Sequence, residues 1–473
     1  MSNCNRFLPV FNRRDFLRAS ANSFGTLALA GLCAEEARAA SPSSTGPLAP
    51  RLPHFAPRAK RIIFLFMHGG PSQVDTFDPK PLLIRDDGKP YPGQKPRVQF
   101  AQTGNLMRSP WEFRRYGQSG TEVSDLFPNV AACVDDMAVI RSIHADNSAH
   151  GGALLQLHTG SDTFVRPSIG SWVTYGLGTE NQNLPGFITL CPTLGHGGVQ
   201  NWSSAFLPGD YQGTPVGNAS IPARDARFKF VENPETAAEL QELQLSFLKR
   251  MNQQHLEPLG PDPQLEARIN SFELAFRMQA AAPGLLDLTR ESQHTLDAYG
   301  VGKDPTDHFG RLCLQARRCA EAGVRFIQCT HSYKWDQHGN LKNLHAKNAR
   351  EVDQPIAALL RDLKQRGLLE DTLVWWGGEF GRTPTAQGGD GRDHNPHAFS
   401  MWLAGGGVQG GSVYGATDDY GYYAVENKVH LHDLHATLLH LLGMDHEKLT
   451  YRYAGRDFRL TDVHGRVVHD LLA

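Results

Sequence analysis

"RIIFLFMHGGPS", Arg61 to Ser72, is the stretch on which the reading of the chain turns. After Arg61 the run stays apolar to Met67 instead of alternating, which is the pattern of a strand buried on both faces. It stops at His68-Gly69-Gly70, and Ser72, Asp75 and Asp78 follow. Strands of this kind sit in parallel sheets with helices on both faces. In such sheets ligands bind outside the carboxyl ends of the strands. Chemistry is therefore expected in the residues that come just after each strand.

Working outward, the pattern recurs. Met137 to His144, Phe187 to Leu190, Val324 to His331, Thr372 to Trp376 and Phe399 to Gly405 read as further strands. Helical spacing appears in Glu235 to His255, Leu265 to Ala282, Phe309 to Ala322 and Asn348 to Gly367. Strands separated by helices imply βαβ units and a mostly parallel sheet. Helices are sparse from Lys80 to Ser124 and from Pro192 to Asn233, and long segments of that sort usually cover or serve a site.

The chain has 473 residues, enough for two or three domains or for one large α/β domain with insertions. A formal net charge of −2 supplies no field for nucleic acid, which is excluded as a partner. Histidine is abundant, at 21 residues, and imidazole is the commonest metal ligand.

The N-terminus reads as an address. Arg13 and Arg14, an apolar run from Phe24 to Ala34, and Ala37-Arg38-Ala39 follow one another as in a twin-arginine export signal. Residues 1–39 are then the signal, 40–60 a Pro/Ser-rich linker, and 61–473 the working domain, with a helical segment near 234–323. The expected destination is periplasmic or extracellular, with the twin-arginine translocase as a partner during export. That route carries folded cargo and favours a cofactor inserted beforehand. After cleavage no apolar run approaches the roughly 20 residues of a membrane span. Cys133, Cys191, Cys313, Cys319 and Cys329 would remain, with no short-spaced zinc pair, and they read as structural.

The strand ends carry the candidate site. His144, Asp146, Asn147, Ser148 and His150 follow the second strand. "WDQHGN" brings Asp336 and His338 after the strand ending at His331. "GGEFGRTP" brings Glu379 and Arg382, and "GRDHNPH" brings Asp393, His394 and His397. Taken singly, each has an ordinary role: Asp-x-His in a turn, a Glu–Arg ion pair, Ser148 capping the next helix. Taken together they offer carboxylate oxygen and imidazole nitrogen to a divalent cation.

Several of these stretches carry a resemblance. "HGGPSQVDTFDPKP", "HGGALLQLHTG", "WDQHGN", "GEFGRTP", "GRDHNP", "AGGGVQGGSVYGATD" and "LHATLLHLLG" resemble the bacterial family called domain of unknown function 1501, which is grouped with the alkaline phosphatase and sulfatase fold. They cover nearly the whole chain after residue 60. The resemblance implies a three-layer α/β/α sandwich with a mostly parallel central sheet and a metal site at the strand ends. It implies metal ligation by Asp336, His338 and His394. It puts His150 at the nucleophile position, and a small shift would offer Ser148. The acidic ligand that the phosphatases carry after the first strand is replaced by His68-Gly69-Gly70, with Asp75 as a distant substitute. Glu379-Phe380 stands where they carry Asp-His. These departures put a second metal position in doubt.

The expectation is an exported, metal-dependent hydrolase of phosphate or sulfate esters. Asp336, His338 and His394 would bind one divalent cation (zinc, calcium or magnesium), assisted by Glu379 or Asp393. Arg382 would hold an ester oxygen, and Ser148 or His150 would be nucleophile or base. Leu106 to Gly120, with Arg108, Arg114 and Arg115, would form a lid over an anionic ester. The alternative is a degenerate fold that binds a glycan or a protein, with Asn201 to Pro215 as its platform.

Overall fold

The computed structural model describes residues 46–96, 102–229, 231, 236, 238–259 and 263–473. The export signal expected at 1–39 lies outside the described residues.

Strands β1 (Arg61–Met67), β4 (Met137–His144), β5 (Phe187–Leu190), β6 (Thr214–Val216), β7 (Phe326–His331), β8 (Thr372–Gly377), β11 (Phe399–Ala404) and β12 (Ser412–Tyr414) build the central sheet. Two hairpins lie outside it: β2 (Phe113–Tyr116) with β3 (Thr121–Ser124), and β9 (Gly381–Gln387) with β10 (Gly391–Asn395). The order across the sheet is β12-β4-β11-β8-β1-β7-β5-β6, and Val429–His430 adds a short parallel partner to β4. Every pairing is parallel except those of β11, which runs against both β4 and β8.

Both faces of the sheet are covered, and β1 shows how. Ile63, Leu65 and Met67 pack into one core with α5 (Asp307–Glu321) and α6 (Leu341–Gln365). Ile62, Phe64 and Phe66 pack into the other, against α1 (His150–Thr159), α2 (Ile169–Leu177) and α7 (Leu431–Leu441). Successive side chains of a strand point to opposite faces, so an unbroken apolar run is what a middle layer requires. The result is a three-layer sandwich. Helices α3 (Ala238–Leu259) and α4 (Pro263–Leu286) occupy the expected helical segment.

Residues 46–60, within the segment read as a linker, lie against the domain. Thr179 donates to the Leu48 carbonyl, Arg51 to that of Leu177, and Arg58 to that of Leu441. Leu48 and Ala59 are buried in the second core. The strap holds because its apolar residues, though few, meet the ends of α2 and α7.

Register brings the functional residues together. Met67 pairs with His331 and Phe66 with Gly377, so His68, the turn after His331 and Glu379 leave the sheet side by side. Because β11 is antiparallel, its start at Phe399 lies beside Ile143. The β9–β10 hairpin that precedes it therefore reaches the same rim as the residues following β4.

Candidate metal centre

Gly69 makes the crossing of these segments possible. Its φ is +115°, and a Cβ there would lie 2.7 Å from the backbone nitrogen of Asp336. The chain after β1 and the "WDQHGN" turn thus touch backbone to backbone, which only glycine allows.

At the centre stands Asp336. Its Oδ1 is 2.9 Å from His338 Nε2 and 3.1 Å from His394 Nε2, and the two imidazole nitrogens are 3.1 Å from each other. The far nitrogens are occupied. His394 Nδ1 donates to the Ser148 carbonyl at 2.7 Å, and His338 Nδ1 donates to Gln387 Oε1. A carbonyl can only accept, so these bonds place the proton on Nδ1 and turn the Nε2 lone pair inward. With both rings neutral, three lone pairs converge on one point, and a cation between them is the arrangement that removes the repulsion.

A second group adjoins the first. Glu379 is fully buried, and its carboxylate accepts from Gly69 N at 3.0 Å and from His150 Nδ1 at 2.7 Å. His150 Nε2 lies 3.4 Å from Asp336 Oδ2. His68 is fully buried too, and neither of its ring nitrogens has a hydrogen-bond partner among the described residues. Donor atoms fall within 4.8 Å of one another in three sets: His68, His150 and Glu379; His150, Asp336 and His394; His338, Asp393 and His394.

The electrostatics follow from this packing. Burial alone would raise the Asp336 carboxyl, but the imidazoles of His150, His338 and His394, which bond it when their inward nitrogens carry a proton, and the charge of Arg382 hold it far below the usual range. Burial likewise opposes ionisation of Glu379, and the His150 bond with nearby imidazoles brings it down to about 2. His68 is lowered to about 4 by burial and stays neutral. Burial would lower His150 as well, yet its bonds to Asp336 and Glu379 raise it. His338 is raised, chiefly by its bond to Asp336. Protons and a cation would compete for the same carboxylate-backed nitrogens.

The structure brings together Asp336, His338, His394, Asp393, His150 and Glu379, as the sequence predicts. Other residues land differently. Arg382 is fully buried, with Nε on the Gly70 carbonyl at 3.0 Å and Nη2 on Trp335 O at 3.1 Å and Asp336 Oδ1 at 2.8 Å; the Gly69 carbonyl accepts as well. Those donors are committed, so Arg382 positions Asp336 rather than holding an ester oxygen. Ser148 contributes its carbonyl to His394, and the N-cap of α1 is Ala149, which has no side-chain cap to offer. Asp75 does not stand in for the missing acidic ligand. It pairs with Arg392 at 2.7 Å, both side chains fully buried.

The expected lid is the β2–β3 hairpin and its approach. Arg108, Arg114 and Arg115 pair there with Asp87, Glu112 and Glu122, all on the surface. Screened pairs on a solvated hairpin are the ordinary fate of such arginines. The expected platform loses its aromatic face, because Trp202 and Tyr211 are buried in the second core. Among the described residues the five cysteines are buried and unpaired, and no helix is long and apolar enough to cross a membrane.

Sequence reasoning gave no role to Tyr333 or His196 and undervalued His68. Tyr333 donates to Asp336 Oδ2 at 2.7 Å. The exposed His196 ring stacks on His150 at 4.9 Å between centroids. Both sit in loops without a motif. His68 directly follows β1, and its position was signal enough once its residue type was not held against it.

These features define a class: a mixed α/β protein whose mostly parallel sheet presents a histidine–carboxylate centre at its rim. The chain belongs to the family described as Protein of unknown function (DUF1501), whose model matches residues 59–472. No curated protein sequence matches it. Among solved structures it is similar to the lipoteichoic acid synthase LtaP of Listeria monocytogenes, with a TM-score of 0.37, 9% identity, and coverage of 86% of this chain and 76% of that one. The PsFucS1 sulfatase of a Pseudoalteromonas species gives 0.34, 14%, 82% and 69%. An alkaline phosphatase superfamily protein of Vibrio parahaemolyticus gives 0.35, 10%, 84% and 70%. Superpositions this loose leave the fold resting on its own strands and the function on its own side chains.

Proposed function

We propose that this protein is an exported hydrolase of phosphate or sulfate esters that works with a divalent cation on Asp336, His338 and His394. The observation that supports it is the 2.9–3.1 Å convergence of one carboxylate oxygen and two imidazole nitrogens, each ring turned inward by its other nitrogen. Three protein donors with a further position open are the composition of a catalytic rather than a purely structural site. When bound, the cation supplies charge for the ester oxygens and acidity to water.

The chain's own residues do the rest. Arg382, locked by backbone carbonyls, and the Tyr333 hydroxyl hold the two oxygens of Asp336 in place. The start of α1 carries His150 with Nδ1 tied to Glu379, and the Ser148 carbonyl is tied to His394. In this reading the attacking group is water or the Ser148 hydroxyl. His196, exposed at the mouth and lowered by burial and by the neighbouring His150, exchanges protons with solvent. Export by the twin-arginine route fits a protein loaded with its ion before translocation.

The test is turnover of 4-nitrophenyl phosphate and 4-nitrophenyl sulfate by the cation-loaded protein. Asp336→Ala and His394→Ala are expected to lose the ion and all measurable turnover together. Full ion loading with no turnover on either ester would overturn the hydrolase and leave a binding protein.

A further inference from the structure

We infer that the centre holds a second cation, of transition-metal type, on His68, His150 and Glu379. This rests on the same rim as the hydrolase reading and adds a site to it. Three observations carry it. Donor atoms of the three residues lie within 4.8 Å of one another, and all three residues are buried. Both His68 nitrogens are buried and without a hydrogen-bond partner among the described residues, although a neutral imidazole always has one N–H to give and one lone pair to satisfy. Such a group costs about 1–3 kcal/mol if nothing meets it. Glu379, meanwhile, is a fully buried carboxylate whose hydrogen bonds come from the Gly69 amide and His150, while the nearby guanidinium of Arg382 is bonded to Asp336 instead. Among the described residues its ion-pair partner is the His150 imidazole at 2.7 Å, and no lysine or arginine meets it. One cation satisfies the orphan nitrogen and the carboxylate at once.

Two imidazoles and one carboxylate favour zinc-like ions over calcium or magnesium, which prefer all-oxygen shells. His150 stands between the two positions, with Nδ1 toward Glu379 and Nε2 toward Asp336. On this inference it is a ligand, not the nucleophile or base expected from its place in the chain. The motif comparison pointed the other way because His68 and Glu379 depart from the residues that phosphatases carry there. The donors are changed in kind, not missing.

The experiment counts ions. The full chain is stripped with a chelator and titrated with Co²⁺ by visible absorption, then with Zn²⁺ by elemental analysis after desalting. Wild type is expected to saturate at two equivalents, and His68→Leu and Asp336→Asn at one each. Glu379→Gln keeps the side-chain shape and an acceptor for Gly69, and it repeats the count should His68→Leu fail to fold. A single ion lost in His68→Leu but kept in Asp336→Asn would support this position and sink the hydrolase reading. A single ion that His68→Leu retains, or that both variants lose, would overturn the second position.

Discussion

Two buried groups of charge lie close together on this rim, and they are built differently. Asp75 and Arg392 form a closed account: Arg392 meets Asp75 through Nε at 2.7 Å and Nη2 at 3.2 Å, and its other donors reach the Thr383 and Met107 carbonyls. Ser72 Oγ donates to the same carboxylate. The candidate metal centre has the opposite balance, with carboxylates and inward-facing imidazoles in excess of donors. One group is neutralised within the chain, and the other is left with acceptors to spare. The difference shows why buried ionisable residues do not by themselves mark a site. What marks it is the remainder after every partner is assigned.

The sharpest way to break this contrast is Arg392→Met. It strands Asp75 in the interior and should cost about 3–5 kcal/mol of stability by urea denaturation. The folded fraction should still bind its ions, because Arg392 is a member of none of the three donor sets. Loss of ion binding in the folded fraction would show that the two groups are one.

Gln387→Ala acts on the other group. It removes the acceptor that turns His338 inward and should weaken ion binding about 10–100-fold in a competitive chelator titration, with little change in stability. An unchanged affinity would mean that His338 is not a ligand.

A third set, buried His331 and Glu351 with the exposed Lys334, sharpens the contrast through pH. Burial alone would raise Glu351, but its bonds to His331 and Lys334 bring it down to about 2. Burial lowers His331 to about 4 against the bond it donates to Glu351. Both groups bind protons more weakly when folded, so stability falls as pH falls. The loss begins as pH drops below the ordinary histidine value of 6.5 and continues past the ordinary glutamate value of 4.5 toward about 2. Urea midpoints between pH 7 and 3 should decline accordingly, and Glu351→Gln should flatten the lower part. A midpoint that rises on acidification would reverse the assigned directions.

Much of the fold was legible in the chain. The apolar run from Ile62 to Met67 reads as a strand covered on both sides, and His150, Asp336, His338 and Glu379 all follow strands in a way that local order alone predicts, whereas Asp393 and His394 lie within β10, a strand the pattern did not announce. Helix α6 begins at Leu341, earlier than the periodicity from Asn348 suggests, because Asn340 takes the left-handed conformation (φ 52°) and turns the chain directly into it. The failures share one cause. Arg382, Asp75 and the arginines of the β2–β3 hairpin were read by what their charge can do, while their actual partners come from elsewhere in the chain: Gly69 and Gly70 for Arg382, and Arg392 for Asp75.

By itself, then, the sequence determined the long strands of the central sheet and which residue types arrive beside their ends, since periodicity and strand ends are local properties of the chain, while the short strands and the hairpins escaped it. Tertiary structure alone decided who pairs with whom. Whether a carboxylate is neutralised by an arginine or left for a cation depends on side chains hundreds of residues apart, and in a low-dielectric interior a shift of an ångström or two separates the two outcomes.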